Sequence, residues 1–138
     1  MTPNDAREVL YAAVEAAVQQ LAPVPLVQWD NRNFVDLETQ VDPWVGVEFL
    51  ITDKQHSGLG NPRFDRYYGH LVVMACVKQG SGIATPLKMV DSICRAVEAR
   101  NFPTLSTGVG RPQRPALNKG WHIVTVAVPF DFQDIVSV

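Results

Sequence analysis

The sequence predicts an α+β fold. Two helices pack on one face of a mostly antiparallel β-sheet of about four strands, giving a two-layer sandwich. Two amphipathic segments open on a Thr-Pro pair, Thr2-Pro3 and Thr85-Pro86. Three long segments, beginning at Trp44, Arg66 and Trp121, are rich in β-branched and aromatic residues. The connections between the strand segments suit antiparallel pairing. The order read along the chain is helix, short strand, strand, strand, helix, strand.

The first helix is expected from residue 3 to about 21. Thr2 stands at the cap, and Pro3 takes the first helical position, where a missing N–H costs nothing. Asp5 and Glu8 put negative charge near the positive end of the helix dipole. Leu10, Ala13, Val14, Ala17, Val18 and Leu21 form the apolar stripe. Ala22-Pro23-Val24-Pro25 ends the helix in an extended connector. Leu26 to Trp29 reads as a short strand, Asp30-Asn31-Arg32-Asn33 as a turn, and Asp36 to Asp42 as an acidic connection.

Trp44 to Ile51 is a strand with Val45, Val47, Phe49 and Ile51 on one face. Residues 52–61 read as a loop, with a long loop near 52–66. Arg66 to Gln79 is a second long strand. Gln79-Gly80-Ser81-Gly82 breaks it. The second helix follows from Thr85-Pro86 to near Arg100, with Leu87, Val90, Ile93, Cys94 and Val97 as its stripe. Residues 101–120 are polar and hold three prolines and three glycines. They read as a second long loop with room for a short strand near Thr104–Thr107. Trp121 to Phe132 is the last strand, with His122, Val124, Val126, Val128 and Phe130 on one face. Pro129 places a sheet edge or a bulge there.

The chain has 138 residues, 46% of them hydrophobic and 19% charged. That is one domain with its own core, and neither repeats nor low-complexity tracts divide it. A net charge of −2 excludes a surface that is basic throughout, as a general nucleic-acid binder would need. No apolar run reaches the ~18 residues of a membrane span. The start carries no basic region of a secretory signal. Cys76 and Cys94 lie in apolar stretches and read as buried, inert thiols of an intracellular protein.

Motifs for chemistry are weak. No serine stands in a Gly-x-Ser-x-Gly elbow. His56, His70 and His122 are scattered, although His70 and His122 could meet across neighbouring strands; no spacing typical of metal ligands occurs. Gly80-Ser81-Gly82 before a helix is the one candidate phosphate turn, and it lacks the Gly-Lys-Ser/Thr ending. It reads better as a simple turn. Trp29, Trp44 and Trp121 stand at strand ends, where tryptophan anchors cores or interfaces. No cofactor is expected.

Charge is distributed unevenly. Residues 1–48 carry −6 and residues 49–138 carry +4. From Arg100 to Gly120 there are four bases and no acid. Such polarity suits head-to-tail association, which closes into a ring where the rotation allows. Asp36, Glu38 and Asp42 are the expected acidic contacts, and Arg111, Arg114 and Lys119 the basic ones. An uneven but solvated surface is the plain alternative.

Several segments together resemble one family. They are the N-terminal amphipathic helix, Pro25-Leu26-Val27-Gln28-Trp29-Asp30-Asn31 running to Phe34, and Pro43-Trp44-Val45-Gly46-Val47-Glu48-Phe49. They continue with Tyr68-Gly69-His70-Leu71-Val72-Val73 leading to Gly80-Ser81-Gly82, and the helix Pro86-Leu87-x-x-Val90-Asp91-x-Ile93. The pattern is similar to the phage tail terminator proteins, the tail-completion or minor tail proteins of long-tailed phages and prophages. It covers nearly the whole chain.

The resemblance implies a non-enzymatic structural protein without cofactor. It implies a homohexameric ring on the tail tube, a surface for the head–tail connector, and at most passive contact with DNA in a lumen. The location implied is the virion, with the host cytoplasm during assembly. The nearest alternative is a head–tail connector or neck completion protein. A more distant one is a small ligand-binding domain or an enzyme using His70, His122 and a pocket between helix and sheet.

Overall fold

The computed structural model describes residues 1–30, 42–57, 60, 62–80, 82, 84–118 and 120–136. Helix α1 spans Pro3–Val18. The Thr2 hydroxyl accepts from the Asp5 N–H at 3.2 Å, and the Asp5 carboxylate accepts from the Thr2 N–H at 3.0 Å. This reciprocal cap satisfies two donors that a helix start leaves open. It also holds the Asp5 carboxyl below its ordinary range. The buried stripe is Ala6, Leu10, Val14 and Val18, one residue every turn. The helix stops three residues short of the expected end, where Gln20 and Leu21 turn back onto Ala17 and Val18.

Strand β1 (Leu26–Trp29) runs parallel to β2 (Trp44–Ser57). β2 pairs antiparallel with β3 (Arg63–Lys78), and β3 pairs along its whole length with β8 (Trp121–Val136). Helix α2 (Ala84–Val97) lies between β3 and the strands that follow. Four short strands come next: β4 (Asn101–Phe102), β5 (Leu105–Thr107), β6 (Arg111–Pro112) and β7 (Ala116–Asn118). β5, β6 and β7 pair one after another with β8, as a single edge strand cut into pieces.

The class is α+β and the pairing is antiparallel except between β1 and β2, but the expected count of about four strands is wrong. There is one mixed sheet of eight strands in the order β1-β2-β3-β8-β5-β4, with β6 and β7 also on β8. Both expected long loops account for most of the difference. Residues 52–57 continue β2 past a register shift between Ile51 and Asp53. The polar 101–120 stretch holds all four short strands, because β8 offers it an unpaired edge. Gln113, between β6 and β7, still donates its N–H to the Thr125 carbonyl at 2.8 Å.

Pro129 fits the same edge. The Gly108 N–H donates to the Pro129 carbonyl. A strand residue's N–H and C=O point the same way, so the N–H that Pro129 lacks falls in the gap between β5 and β6.

Register fixes the two faces. Val45, Val47, Leu71, Val73, Ala75, Val124, Val126 and Val128 share one face and are buried with the stripes of both helices. On α2 the buried residues are Pro86, Met89, Val90, Ile93, Cys94 and Val97, whereas Leu87 is exposed. α2 begins at Ala84, so Thr85 lies inside the helix and is not its cap. It ends at Val97, not near Arg100, and Ala99 follows with φ 50°.

Residues at the margin of the sheet tie α1 to it. Asp30, at φ 41°, accepts hydrogen bonds from the Tyr11 hydroxyl and, at 3.1 Å, from the Phe49 N–H. Tyr11 lies against Trp29 with ring centroids 4.5 Å apart. Burial, then the Asp30 carboxylate, keeps the Tyr11 hydroxyl protonated far above its ordinary range.

The β4–β5 turn places Thr104 at φ 65°. A β-branched residue is poorly suited to that left-handed region. Thr104→Gly relieves ~1–2 kcal/mol of strain and loses ~0.5–1 kcal/mol to unfolded-chain entropy. Thermal unfolding should therefore report a small gain, about 2 °C. A lower melting temperature would contradict this reading of the turn.

Candidate interaction surfaces

The helix-free face of the sheet carries Trp44, Gly46, Glu48 and Leu50 on β2, and His70, Val72, Met74 and Cys76 on β3. Trp121, Ile123, Thr125, Ala127 and Pro129 follow on β8. At one end Trp44, Cys76 and Trp121 are buried, and the two indoles meet edge-on at 6.2 Å. The described residues of this cluster all come from the sheet strands. Farther along, Val72, Met74 and Ala127 are half-buried and Leu50 is exposed.

One row across this face places opposite charges at its two rims. Glu48 pairs in register with Val72, Val72 with Ala127, and Ala127 with Arg111. Directly paired residues share a face, so all four side chains belong to it. Three strand spacings separate Glu48 from Arg111, roughly 14 Å. The acidic and basic rims therefore do not neutralise each other within one chain.

The expected charge contacts are distributed as follows. Asp36, Glu38 and Lys119 lie outside the described residues. Asp42 is exposed beside the start of β2 and accepts from the Lys78 N–H at 3.2 Å. Arg111 and Arg114 are exposed along the broken edge strand. Asp42 and the two arginines thus sit on opposite sides of the sheet. Glu48 was not among the expected contacts. Its signal was a lone acid alternating with Val47 and Phe49 in an apolar strand.

The outermost strands at the two edges are short and interrupted by proline, whereas residues 50–57 of β2 run on beyond β1 and pair only with β3 among the described residues. β1 is four residues long and follows Pro23 and Pro25. The opposite edge is broken and carries Pro112 and Pro115. Short, proline-interrupted edges discourage pairing between chains.

A second charged group lies on the extended ends of β2 and β3. The Asp65 carboxylate accepts from His56 Nδ1 at 2.7 Å and from Arg63 Nε at 3.0 Å. Lys54 Nζ lies 3.6 Å away. Asp65 has no exposed surface, whereas its partners are all partly open to solvent. These side chains cover it. A carboxylate only accepts, so His56 carries a proton on Nδ1 in this pair. The His56 hydrogen bond, followed by Arg63, holds Asp65 below the usual carboxylate range.

Such a group stabilises the fold fully above its unfolded pKa and loses that contribution as pH falls through its folded one. Asp65→Asn should therefore be less stable at neutral pH, with Lys54 and Arg63 left without that carboxylate. Its loss of stability below about pH 4 should also be shallower. Urea midpoints measured from pH 7 to pH 2.5 would show both effects, and parallel curves for the two proteins would refute them.

His70 and His122 do not meet across neighbouring strands. His70 lies on the helix-free face opposite Pro129, and His122 lies on the helix face opposite Val77. A cavity of about 240 Å³ does open between α2 and the sheet, lined by Leu87, Val90, Cys94, Glu98, Pro112 and Val126 among others. Neither histidine lines it. Cys94 is buried on α2 and Cys76 on the other side of the sheet. Burial pushes both thiols up to about 12.

Gly80 and Gly82 take φ values of 98° and 79°, as a turn requires. Ser81 lies outside the described residues. Among the described residues, no three His, Cys, Asp or Glu side chains gather as metal ligands. No helix there is long and apolar enough to cross a membrane.

No family model matches the sequence, and no curated protein does. Among the solved structures that match, one, of a protein whose name states no function, has a TM-score of 0.63. The match covers 93% of this chain and 96% of that one at 14% identity. At that identity the likeness is one of fold alone.

Proposed function

We propose that this chain is a structural assembly protein of the phage tail. It caps the tail tube as a ring of about six copies and presents a surface for head attachment. It works in the virion after assembly in the host cytoplasm, as a protein without catalytic activity or cofactor. Its contact with DNA is confined to a lumen. The observation that supports this reading is the charge arrangement: Glu48 and Asp42 on one side of the sheet, Arg111 and Arg114 on the other.

Copies placed side by side bring an acidic flank against a basic one. Heterologous contacts of that kind close into a ring where the rotation between copies allows.

Cosedimentation with tail tubes of a cognate tube protein tests the reading. The wild-type chain should bind, and binding should weaken as salt rises from 0.05 to 0.5 M, since the Debye length shrinks from ~14 Å to ~4 Å. The double reversal Arg111→Glu, Arg114→Glu should lower binding at least tenfold. Tube binding by the double variant equal to wild type would sink the charge assignment. Binding to a connector ring and not to tubes would favour the neck-protein alternative.

A further inference from the structure

We infer that the helix-free face of the sheet takes a second copy of this chain, face to face, about a two-fold axis that runs along the strands between β3 and β8. The apolar middle of the face supplies the reason for association. Val72, Met74 and Ala127 are half-buried there, Leu50 is exposed, and no helix among the described residues covers them. The strip from Met74 to Phe64 is about 34 Å long and about 14 Å wide, roughly 500 Å² a copy, which reaches the ~1,000 Å² total of a specific interface.

Charge selects the axis. A two-fold along the strands keeps height along the strand and exchanges left for right. Glu48 of one copy then stands over Arg111 of the other, and this happens twice. Val72 stands over Ala127, and Tyr68 over Asp131, because each pair shares a row in the register. A two-fold across the strands would set Glu48 over Glu48 and Arg111 over Arg111. Like charges so placed are repulsive. Packed sheets lie ≈ 10 Å apart and cross at about 30°, so the central Val72–Ala127 contacts form the dry middle and the charged pairs the rim.

A two-fold contact closes at two copies. It therefore describes the chain away from a tail tube and stands independently of the ring reading. Where both hold, they compete for Arg111, and the dimer keeps the ring contact occupied until a tube displaces it.

Sedimentation velocity from 1 to 200 μM tests the inference. The wild-type chain should reach a dimer. Ala127→Arg, in the middle of the face, should abolish it. Glu48→Arg and Arg111→Glu should each raise the dimer Kd at least tenfold, and the two together should restore it to within threefold of wild type. Circular dichroism and a cooperative thermal transition establish that each variant folds.

Three results would overturn the inference. One is a monomer throughout. A second is a dimer indifferent to Ala127→Arg in folded protein. The third is a species of about six copies that survives Ala127→Arg, which would leave the ring reading standing while removing this use of the face.

Discussion

Gly69→Ala is expected to lower stability by about 3 kcal/mol or more, at the top of the range for overpacking a filled core. Gly69 is buried in β3, opposite Ile51 on one side and Phe130 on the other. A Cβ built there would overlap the Leu50 carbonyl oxygen and lie 2.6 Å from Phe130 Cζ. The ring could turn aside only by giving up its stack on Phe49, where the centroids are 4.8 Å apart and the planes 11° from parallel. The carbonyl belongs to backbone held in the β2–β3 ladder, next to the register shift after Ile51. Neither neighbour can move freely. The thermal midpoint should fall by roughly 10 °C. An unchanged midpoint would mean that the strands do not approach each other in this way.

Asp30→Ala should cost nearly as much, for a different reason. The carboxylate satisfies two donors at once, the Tyr11 hydroxyl and the Phe49 N–H. Removing it leaves both without that acceptor in a half-buried place, at about 1 kcal/mol each. Alanine must also adopt φ near 41°, which costs ~1–2 kcal/mol for a residue with a Cβ and no local hydrogen bond. The total is about 3 kcal/mol. Arg7, 3.6 Å from Asp30, adds little because it is exposed.

A double-mutant cycle separates these contributions. Tyr11→Phe alone should cost about 1 kcal/mol, and less in the Asp30→Ala background, because the hydroxyl has then lost its acceptor. Strict additivity would show that the Tyr11–Asp30 bond contributes nothing.

The parts of this fold readable in the sequence are those where the side chains alone decide the outcome. Thr2, Pro3 and Asp5 are enough to start a helix. Val45 and Val47, Val72 and Val73, and Val124, Val126 and Val128 are enough to mark strands. The strands missed were those that need a partner. Residues 52–57 are polar and extend only because β3 continues beside them. Arg111 and Pro112 pair because β8 presents an open edge. A sequence pattern cannot show that offer.

The candidate surface follows the same division. That acids and bases separate along the chain is visible in the sequence. That Glu48 and Arg111 lie in one row of one face depends on three registers at once, β2 with β3, β3 with β8, and β8 with β6. Shifting any one register by a single residue would send a charge to the other face. The Asp65 group was missed for a related reason. Lys54, His56 and Arg63 converge on it only after β2 shifts register past Ile51.

The proposed role is tested most directly by tube growth. A cognate tube protein is polymerised with and without this chain, and tube lengths and ends are recorded by electron microscopy. A terminator should stop elongation at substoichiometric amounts and leave a ring of about six copies at one end of each tube. Tubes that grow to the same lengths with bare ends, in the presence of excess folded protein, would contradict the role.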